Sequence, residues 1–374
     1  MKKIIIIGAG IIGLSISYYL KKNNFGSFDV VVIEKDKAGM EASFASAGML
    51  AAQSEFEFYE TFMDFCIKSR SMYPDFCKDI ETASGINAEY KKSGMIRPAL
   101  NEEHETHFKQ NYEWQKNHGF EIEFLSGDEL RNIEPKLSQK IISGLYTKND
   151  GQVNNRKLME ALIIVNKKIN NKIIENTEVK DYLIKNNKVN GVKTKNGNFS
   201  ADVVVNAAGA WSSLISPKLI PNFEVKPVRG QIVSLQANKK ILDKVIFASV
   251  LGKGGYIVPR KDNTIILGST VEDVGFEKNT TKEGINSILK NCFDIIPELK
   301  NLKIIDKYCG FRPIASDNLP VIGKTSIENL LLATAHYRNG VLLAPITAKA
   351  VTEIIVNGNV LPEIKDFGVE RFNK

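Results

Sequence analysis

Gly8-Ala9-Gly10-Ile11-Ile12-Gly13 is the first stretch of this 374-residue chain whose residue types and spacing suit chemistry on a ligand. Between a strand and a helix the three glycines have separate duties. Gly8 allows a tight turn, Gly10 lets backbone approach a pyrophosphate, and Gly13 lets the helix lie close to the strand. The helix start offers unpaired N–H groups and a partial positive charge to phosphates. Glu34 stands twenty-one positions after Gly13. A carboxylate there accepts hydrogen bonds from a ribose 2′-hydroxyl and disfavours a 2′-phosphate. The pattern predicts dinucleotide binding. A second strip rich in small residues, Met40 to Leu50, follows closely. Small side chains let backbone lie against a large flat group, and Ser hydroxyls can meet phosphate oxygens. A nicotinamide enzyme has no obvious use for such a strip so near the first, so the two together point to FAD.

The elements that must position these residues are legible nearby. Ile4 to Ile7 is a β-branched run, as in a strand buried on both faces of a parallel sheet. Ile12, Ser15, Ile16, Tyr19 and Leu20 recur at helical spacing through Lys22, and Asp29 to Ile33 is a second apolar run. Asp64 to Ile80 shows helical spacing that ends before Ser84-Gly85, and Arg156 to Ile169 reads as a helix. Residues 85–148 read as mixed strand and helix. Asn190-Gly191 and Asn196-Gly197 are hairpin turn signals, and Asp202 to Val205 is a buried strand. Alternation over 225–235 and 255–268 predicts antiparallel sheet. Residues 329–335 form a last strand, followed after Arg338-Asn339-Gly340 by a helix over 341–356.

Composition narrows the class. With 43% hydrophobic and 25% charged residues the chain is an ordinary globular protein. The net charge of +7 comes mostly from 41 scattered lysines against nine arginines, which reads as a solvated surface rather than a nucleic-acid face. Cys66, Cys77, Cys292 and Cys309 are far apart and form no CxxC pair, so free thiols in a cytoplasmic setting are expected. His104 and His107 stand one helical turn apart without a third ligand, and no metal is expected. Met1 to Leu14 imitates a secretory leader, yet glycines 8, 10 and 13 interrupt it. No run of eighteen apolar residues predicts a membrane span.

The sequence resembles the D-amino-acid oxidase superfamily of FAD enzymes, and within it the glycine oxidases of thiamine biosynthesis. The resemblance rests on residues 4–20, on EASFASAGMLA (41–51), DGQVN (150–154), ADVVVNAAGAW (201–211), VRGQ (228–231), GYIVPR (255–260), LGSTVEDVGF (267–276), CGFRP (309–313) and HYRNGVLLAP (336–345). It covers the whole chain and implies an α/β fold: a Rossmann-like FAD-binding domain (1–84, 149–218, 306–374) interleaved with an α+β substrate domain (85–148, 219–305) carrying a mixed or antiparallel sheet. For the cofactor it implies Ile11, Ile12, Glu34, Lys35, Ala42, Ser43, Ala47, Gly48 and Met49, with Val179 on the adenine side. Trp211 reads either as packed near the dinucleotide or as a core residue. Phe44 departs from the family pattern at a position where a smaller residue or Trp is common.

Oxidation of an amine needs an anchored substrate and stabilisation of the charge that reaches the flavin. It needs no protein base. By the resemblance Arg312 is the carboxylate clamp, a role its planar guanidinium suits, and Tyr256 adds a hydroxyl. Arg338 lies in the loop over the flavin. His336, Tyr337, Asn339, Gly340, Val341 and Leu342 place backbone N–H groups and a helix N-terminus there, with no proton transfer assigned to His336. The resemblance implies oxidation of glycine, sarcosine or small D-amino acids, oxygen as acceptor, a homo-oligomer and a link to thiazole synthesis. A D-amino-acid oxidase or dehydrogenase with a roomier pocket remains an alternative, as does, more remotely, an enzyme acting on a modified transfer-RNA uridine.

Overall fold

The run Ile4-Ile5-Ile6-Ile7 divides its side chains between two cores, as a central strand of a doubly covered sheet does. The structure is a computed structural model and describes residues 1–22, 28–249 and 254–373. Ile4 and Ile6 share a core with helices Ile11–Lys22, Asn155–Lys168 and Gly340–Asn357. Ile5 and Ile7 face Val179, Tyr182, Val189 and Val192 of a three-stranded antiparallel ribbon. The strand itself, Lys2–Ile7, lies within a six-stranded sheet. The order is Val321–Lys324, Leu330–Thr334, Val203–Asn206, Lys2–Ile7, Phe28–Ile33, Lys172–Ile174. All pairings are parallel except the first. The chain leaves Lys2–Ile7 towards Phe28–Ile33, while Val203–Asn206 flanks the other side. That reversal opens a crevice at the carboxyl ends of the strands, where ligands bind in open α/β sheets.

A second, mixed sheet of eight strands carries the other half of the site. Its order is Lys303–Ile314, Lys226–Gln236, Thr264–Gly268, Tyr256–Pro259, Val245–Phe247, Met95–Ala99, Ser143–Thr147, Glu123–Ser126. Only Val245–Phe247 with Met95–Ala99 is parallel. Helix Lys282–Ile295 lays Ile285, Ile288, Cys292 and Ile295 on one face of it. The α/β class with a parallel sheet and a largely antiparallel one agrees with the sequence reading.

Two local readings are corrected. The stretch from Asp64 to Ile80 is two helices, Thr61–Ser71 and Tyr73–Ser84, broken at Met72. Pro74 has no N–H to continue the first helix but fits the opening turn of the second. Gly85, at φ 84°, then ends it in the left-handed region. Asn190-Gly191 is not a turn. It sits inside strand Lys188–Thr194 as a bulge, while Asn186 and Asn187, at φ 52° and 58°, make the two-residue turn before it.

Helix Gly340–Asn357 is long and apolar enough to cross a membrane by composition, but 72% of its apolar window is buried inside the protein. Pro345 within it leaves the Val341 carbonyl without its usual donor, and the buried Tyr73 hydroxyl donates to that oxygen instead. Cys66, Cys77 and Cys292 are buried free thiols, and Cys309 is half-buried and free.

Candidate active site

A cavity of about 360 Å³ opens at the carboxyl ends of the six-stranded sheet. Gly8, Gly10, Ile11 and Ile12 line it, with Glu34, Lys35, Ala42, Ser43, Val179, Trp211, His336, Tyr337, Gly340 and Val341. Gly13 lies behind it, where a Cβ would overlap the Gly8 carbonyl oxygen. Glu34 accepts the Ala9 N–H at 2.8 Å and the Asp36 N–H at 3.1 Å, which fixes its carboxylate at the end of its strand. Burial raises its pKa, partly offset by those two hydrogen bonds. The Ser43 hydroxyl accepts the Ile11 N–H at 2.9 Å, so the small-residue strip is tied to the glycine loop. Trp211 is a cavity residue: the Lys35 ammonium stands 3.6 Å from its ring centroid. Phe44 lines neither this cavity nor the smaller one beside it. It packs against the Arg156 guanidinium at 3.8 Å and the Tyr308 ring.

The turn before the last helix is more committed than its sequence suggests. The Tyr337 N–H donates to the Pro313 carbonyl and the Asn339 N–H to the His336 carbonyl, both at 2.8 Å. Neither therefore points at a ligand. The orphan N–H groups of the helix start belong to Gly340, Val341 and Leu342, and of these residues Gly340 and Val341 line the cavity while Leu342 does not. His336 is buried, bonds the Thr347 hydroxyl at 3.1 Å, and is pushed down to about 3 by burial. It stays neutral in the fold, whereas an unfolded histidine takes up a proton below about 6.5. Stability should therefore fall as pH drops from about 6.5 towards 3, by roughly 2 kcal/mol at pH 5. His336→Gln should flatten that limb in pH-dependent urea unfolding; an unchanged pH slope would contradict it.

A second cavity of about 120 Å³ adjoins the first. Ala42, Ser46, Phe311, Tyr337 and Val341 wall both. Ala47, Gly48, Met49, Tyr256, Arg312, Arg338 and Asn339 line the second. The β pairing sets Arg312 opposite Val228 and Tyr256 opposite Gly268, which brings both side chains to one end of the eight-stranded sheet. Arg312 donates from Nη2 to Ser269 Oγ at 2.6 Å and from Nη1 to the Thr270 carbonyl at 3.1 Å. Gly230 lies under the guanidinium, where any Cβ would collide with it. Burial lowers the Arg312 pKa, but a guanidinium keeps its charge at neutral pH. Burial pushes the Tyr256 phenol up to about 12, so it holds its proton and can donate. Arg338 stands 3.8 Å from the buried Glu55 carboxylate, which raises its pKa.

Sequence reasoning missed four contributors: Ser269 and Thr270, which orient Arg312, Glu55 beside Arg338, and Arg260. Arg260 donates to the Ala47 and Val153 carbonyls at 2.8 and 2.9 Å and to Asn155 Oδ1 at 2.9 Å, clamping the small-residue strip. Its place in the GYIVPR stretch was the available signal.

A family model described as FAD dependent oxidoreductase matches residues 3–354. The chain belongs to that family. This FAD-dependent oxidoreductase is 32% identical, over its whole length, to the bifunctional protein ThiO/ThiG of Trichormus variabilis, of which the match covers 55%. It thus spans about half the length of that relative. It is 29% identical to a glycine oxidase of Geobacillus kaustophilus, with 98% of this chain and 96% of that one covered. The crystal structure of glycine oxidase from Bacillus cereus superposes with a TM-score of 0.90 at 31% identity over 98% of both chains.

The residues present fit FAD. Two helix N-termini, at Ile11 and Gly340, meet the larger cavity, and Gly10 leaves its floor bare beside them. Glu41 lines the wall with one carboxylate oxygen buried and, among the described residues, without a hydrogen-bond partner, which suits a hydroxyl donor. The continuous wall between the cavities suits a cofactor that reaches from the glycine loop to the edge of the smaller one.

Proposed function

We propose that the protein oxidises glycine and other small amines such as sarcosine and small D-amino acids. The product imine hydrolyses to the 2-oxo acid with release of ammonia, or of methylamine when sarcosine is the substrate, and oxygen is reduced to hydrogen peroxide. The observation that carries this reading is the cavity of about 120 Å³ that holds Arg312 and Tyr256 and shares a wall with the cofactor cavity. It is small beside the roughly 300–1,000 Å³ of sites for drug-sized ligands. The glycine oxidases among the relatives support the same substrate class.

FAD, when bound, supplies the two-electron acceptor. The chain's own residues do the rest. Arg312 takes the substrate carboxylate in its guanidinium fork, and Tyr256 donates its phenolic hydrogen to the same group. Anchored so, the α carbon lies towards the wall formed by Ala42, Ser46 and Val341. Gly340 and Val341 turn helix-start N–H groups to the cofactor side, where they stabilise negative charge. Glu55 balances Arg338, so that the site carries one uncompensated guanidinium for one carboxylate. Tyr256→Phe removes one donor to a charged group and is expected to raise the KM for glycine about tenfold; an unchanged KM in steady-state oxygen uptake would take the hydroxyl off the substrate.

The eight-stranded sheet serves substrate and the six-stranded sheet cofactor, which supports dividing the chain into two interleaved domains. Strand Lys303–Ile314 pairs along its length with Lys226–Gln236, so we place the last boundary after Ile314 rather than at 305. We assign the enzyme to the cytoplasm, as a homo-oligomer, with its imine feeding thiazole formation for thiamine. Oxygen uptake and peroxide release under air, with glycine, sarcosine, D-alanine and D-proline in turn, test the substrate reading. Turnover of glycine and sarcosine is expected. Turnover of the D-amino acids alone, or reduction of a dye but not of oxygen, would shift it to a D-amino-acid oxidase or a dehydrogenase.

A further inference from the structure

The loop from Ser269 to Thr281 joins strand Thr264–Gly268 to helix Lys282–Ile295 and lines the smaller cavity with Ser269 and Val271. Its first residues hold the substrate side, through the bonds from Arg312 to Ser269 and Thr270. Its middle is fastened to strand Lys226–Gln236. Arg229 and Glu272 exchange both backbone hydrogen bonds at 2.9 and 3.0 Å. The buried Arg229 side chain donates to the Glu272 carboxylate at 2.9 Å, to the Glu277 carbonyl at 3.0 Å and to the Asn279 side chain. Gln231, also buried, bridges Glu272 and Thr281. A loop tied at this many points keeps one conformation.

The far part of the loop then crosses the mouth of the cofactor crevice. Phe276 stacks on Trp211 with ring centroids 5.0 Å apart and an interplanar angle of 27°, and meets Phe311 edge-on at 5.5 Å. The Lys278 ammonium donates to the Glu41 carboxylate at 2.8 Å. Trp211, Phe311 and Glu41 all line the larger cavity, whereas Phe276 and Lys278 do not. Trp211 follows strand Val203–Asn206 and Glu41 follows strand Phe28–Ile33, so they stand on opposite banks of the central Lys2–Ile7 strand. The loop therefore touches both banks of the crevice from outside, with a ring on one and an ammonium on the other.

We propose that the segment Ser269–Thr281 is a clasp that retains FAD, its Phe276 ring and Lys278 ammonium holding the Trp211 and Glu41 banks together over the bound dinucleotide. The inference rests on the assignment of the larger cavity to FAD. A large ligand leaves such a crevice only when its banks part, so contacts between banks act on the rate of release without touching the ligand. Phe276 and Lys278 are accordingly positioning residues.

The test strips the purified holoenzyme of flavin, titrates FAD back, and follows release after dilution by the gain of flavin fluorescence. Phe276→Ala is expected to raise the Kd for FAD and its release rate about tenfold, the worth of an aromatic stack. Phe276→Tyr keeps the ring and should return both to the wild-type values, which separates the clasp from a general loss of folding. Lys278 is half-exposed, so Lys278→Ala opens no internal space and serves if Phe276→Ala fails to fold; about threefold faster release is expected. Release within about twofold of wild type in both Phe276→Ala and Lys278→Ala would overturn the proposal. A wild-type protein that takes up no FAD would remove the cofactor assignment and the clasp with it.

Discussion

Arg312→Ala should raise the KM for glycine about a hundredfold or more while the protein remains yellow with bound FAD. The guanidinium is buried at the end of the eight-stranded sheet, oriented by Ser269 and Thr270 and backed by the bare face of Gly230. Hydrogen bonds to a charged group are worth about 1.5–3 kcal/mol each, and a bidentate carboxylate makes two. Losing them corresponds to about 3 kcal/mol or more, where 1.4 kcal/mol is a factor of ten. Arg338 does not substitute, because Glu55 already stands 3.8 Å from it. Arg312→Lys should recover little, since an ammonium lacks the planar fork that fits a carboxylate. The flavin should stay bound, because Arg312 lines the smaller cavity and not the larger one. Steady-state kinetics with glycine, beside the visible spectrum of each variant, checks both halves. An unchanged KM would take Arg312 out of the site.

The second large effect separates two glycines of one loop. At Gly13 a Cβ would overlap the Gly8 carbonyl oxygen, a backbone atom that cannot turn away. Gly13→Ala must therefore push helix Ile11–Lys22 off strand Lys2–Ile7, and it should destabilise the apoprotein by about 3 kcal/mol, at the upper end of overpacking costs. At Gly10 a Cβ would meet only Ser43 Oγ, at 3.3 Å, a side-chain atom that need shift by only a few tenths of an ångström. Gly10→Ala should leave the apoprotein nearly as stable as wild type. It does place a methyl on the cavity floor, where a pyrophosphate must come close to backbone, so FAD affinity should fall about tenfold or more. Thermal unfolding of the stripped proteins and flavin titration of each decide the matter. A Gly10→Ala protein that binds FAD normally would contradict this placing of the pyrophosphate.

What the sequence made legible was local. The glycine loop, Glu34 and the strip from Met40 to Leu50 follow one another closely, and their duties depend on near neighbours. Gly8, Gly10, Ile11 and Ile12 of the glycine loop reach the cavity wall, and Gly13 acts from behind as its packing duty requires. Contacts between remote segments were not legible. Arg260 grips Ala47 from 213 positions away, Ser269 and Thr270 meet Arg312 from 43 and 42 positions away, and Glu55 reaches Arg338 across the fold. Local patterns also misled where one signal serves two structures. Asn-Gly fits a hairpin turn and a bulge equally well, because both need a residue at positive φ, and only the pairing of strand Lys188–Thr194 with its neighbours distinguishes them. Likewise the spacing from Asp64 to Ile80 stayed in phase through the break at Met72, so the apolar stripe looked like one helix. The turn at His336–Asn339 shows the same limit: its N–H groups look available in sequence, yet two are taken by carbonyls.

The central claim is that a small amine held by Arg312 gives its electrons to the flavin in the adjoining cavity. The most direct measurement mixes the purified protein with glycine under nitrogen and follows the visible flavin band. The account predicts that the band bleaches, that one equivalent each of glyoxylate and ammonia forms per flavin, and that admitting air restores the colour with release of hydrogen peroxide. A band that persists under glycine and sarcosine, in a protein whose flavin dithionite readily reduces, would contradict it.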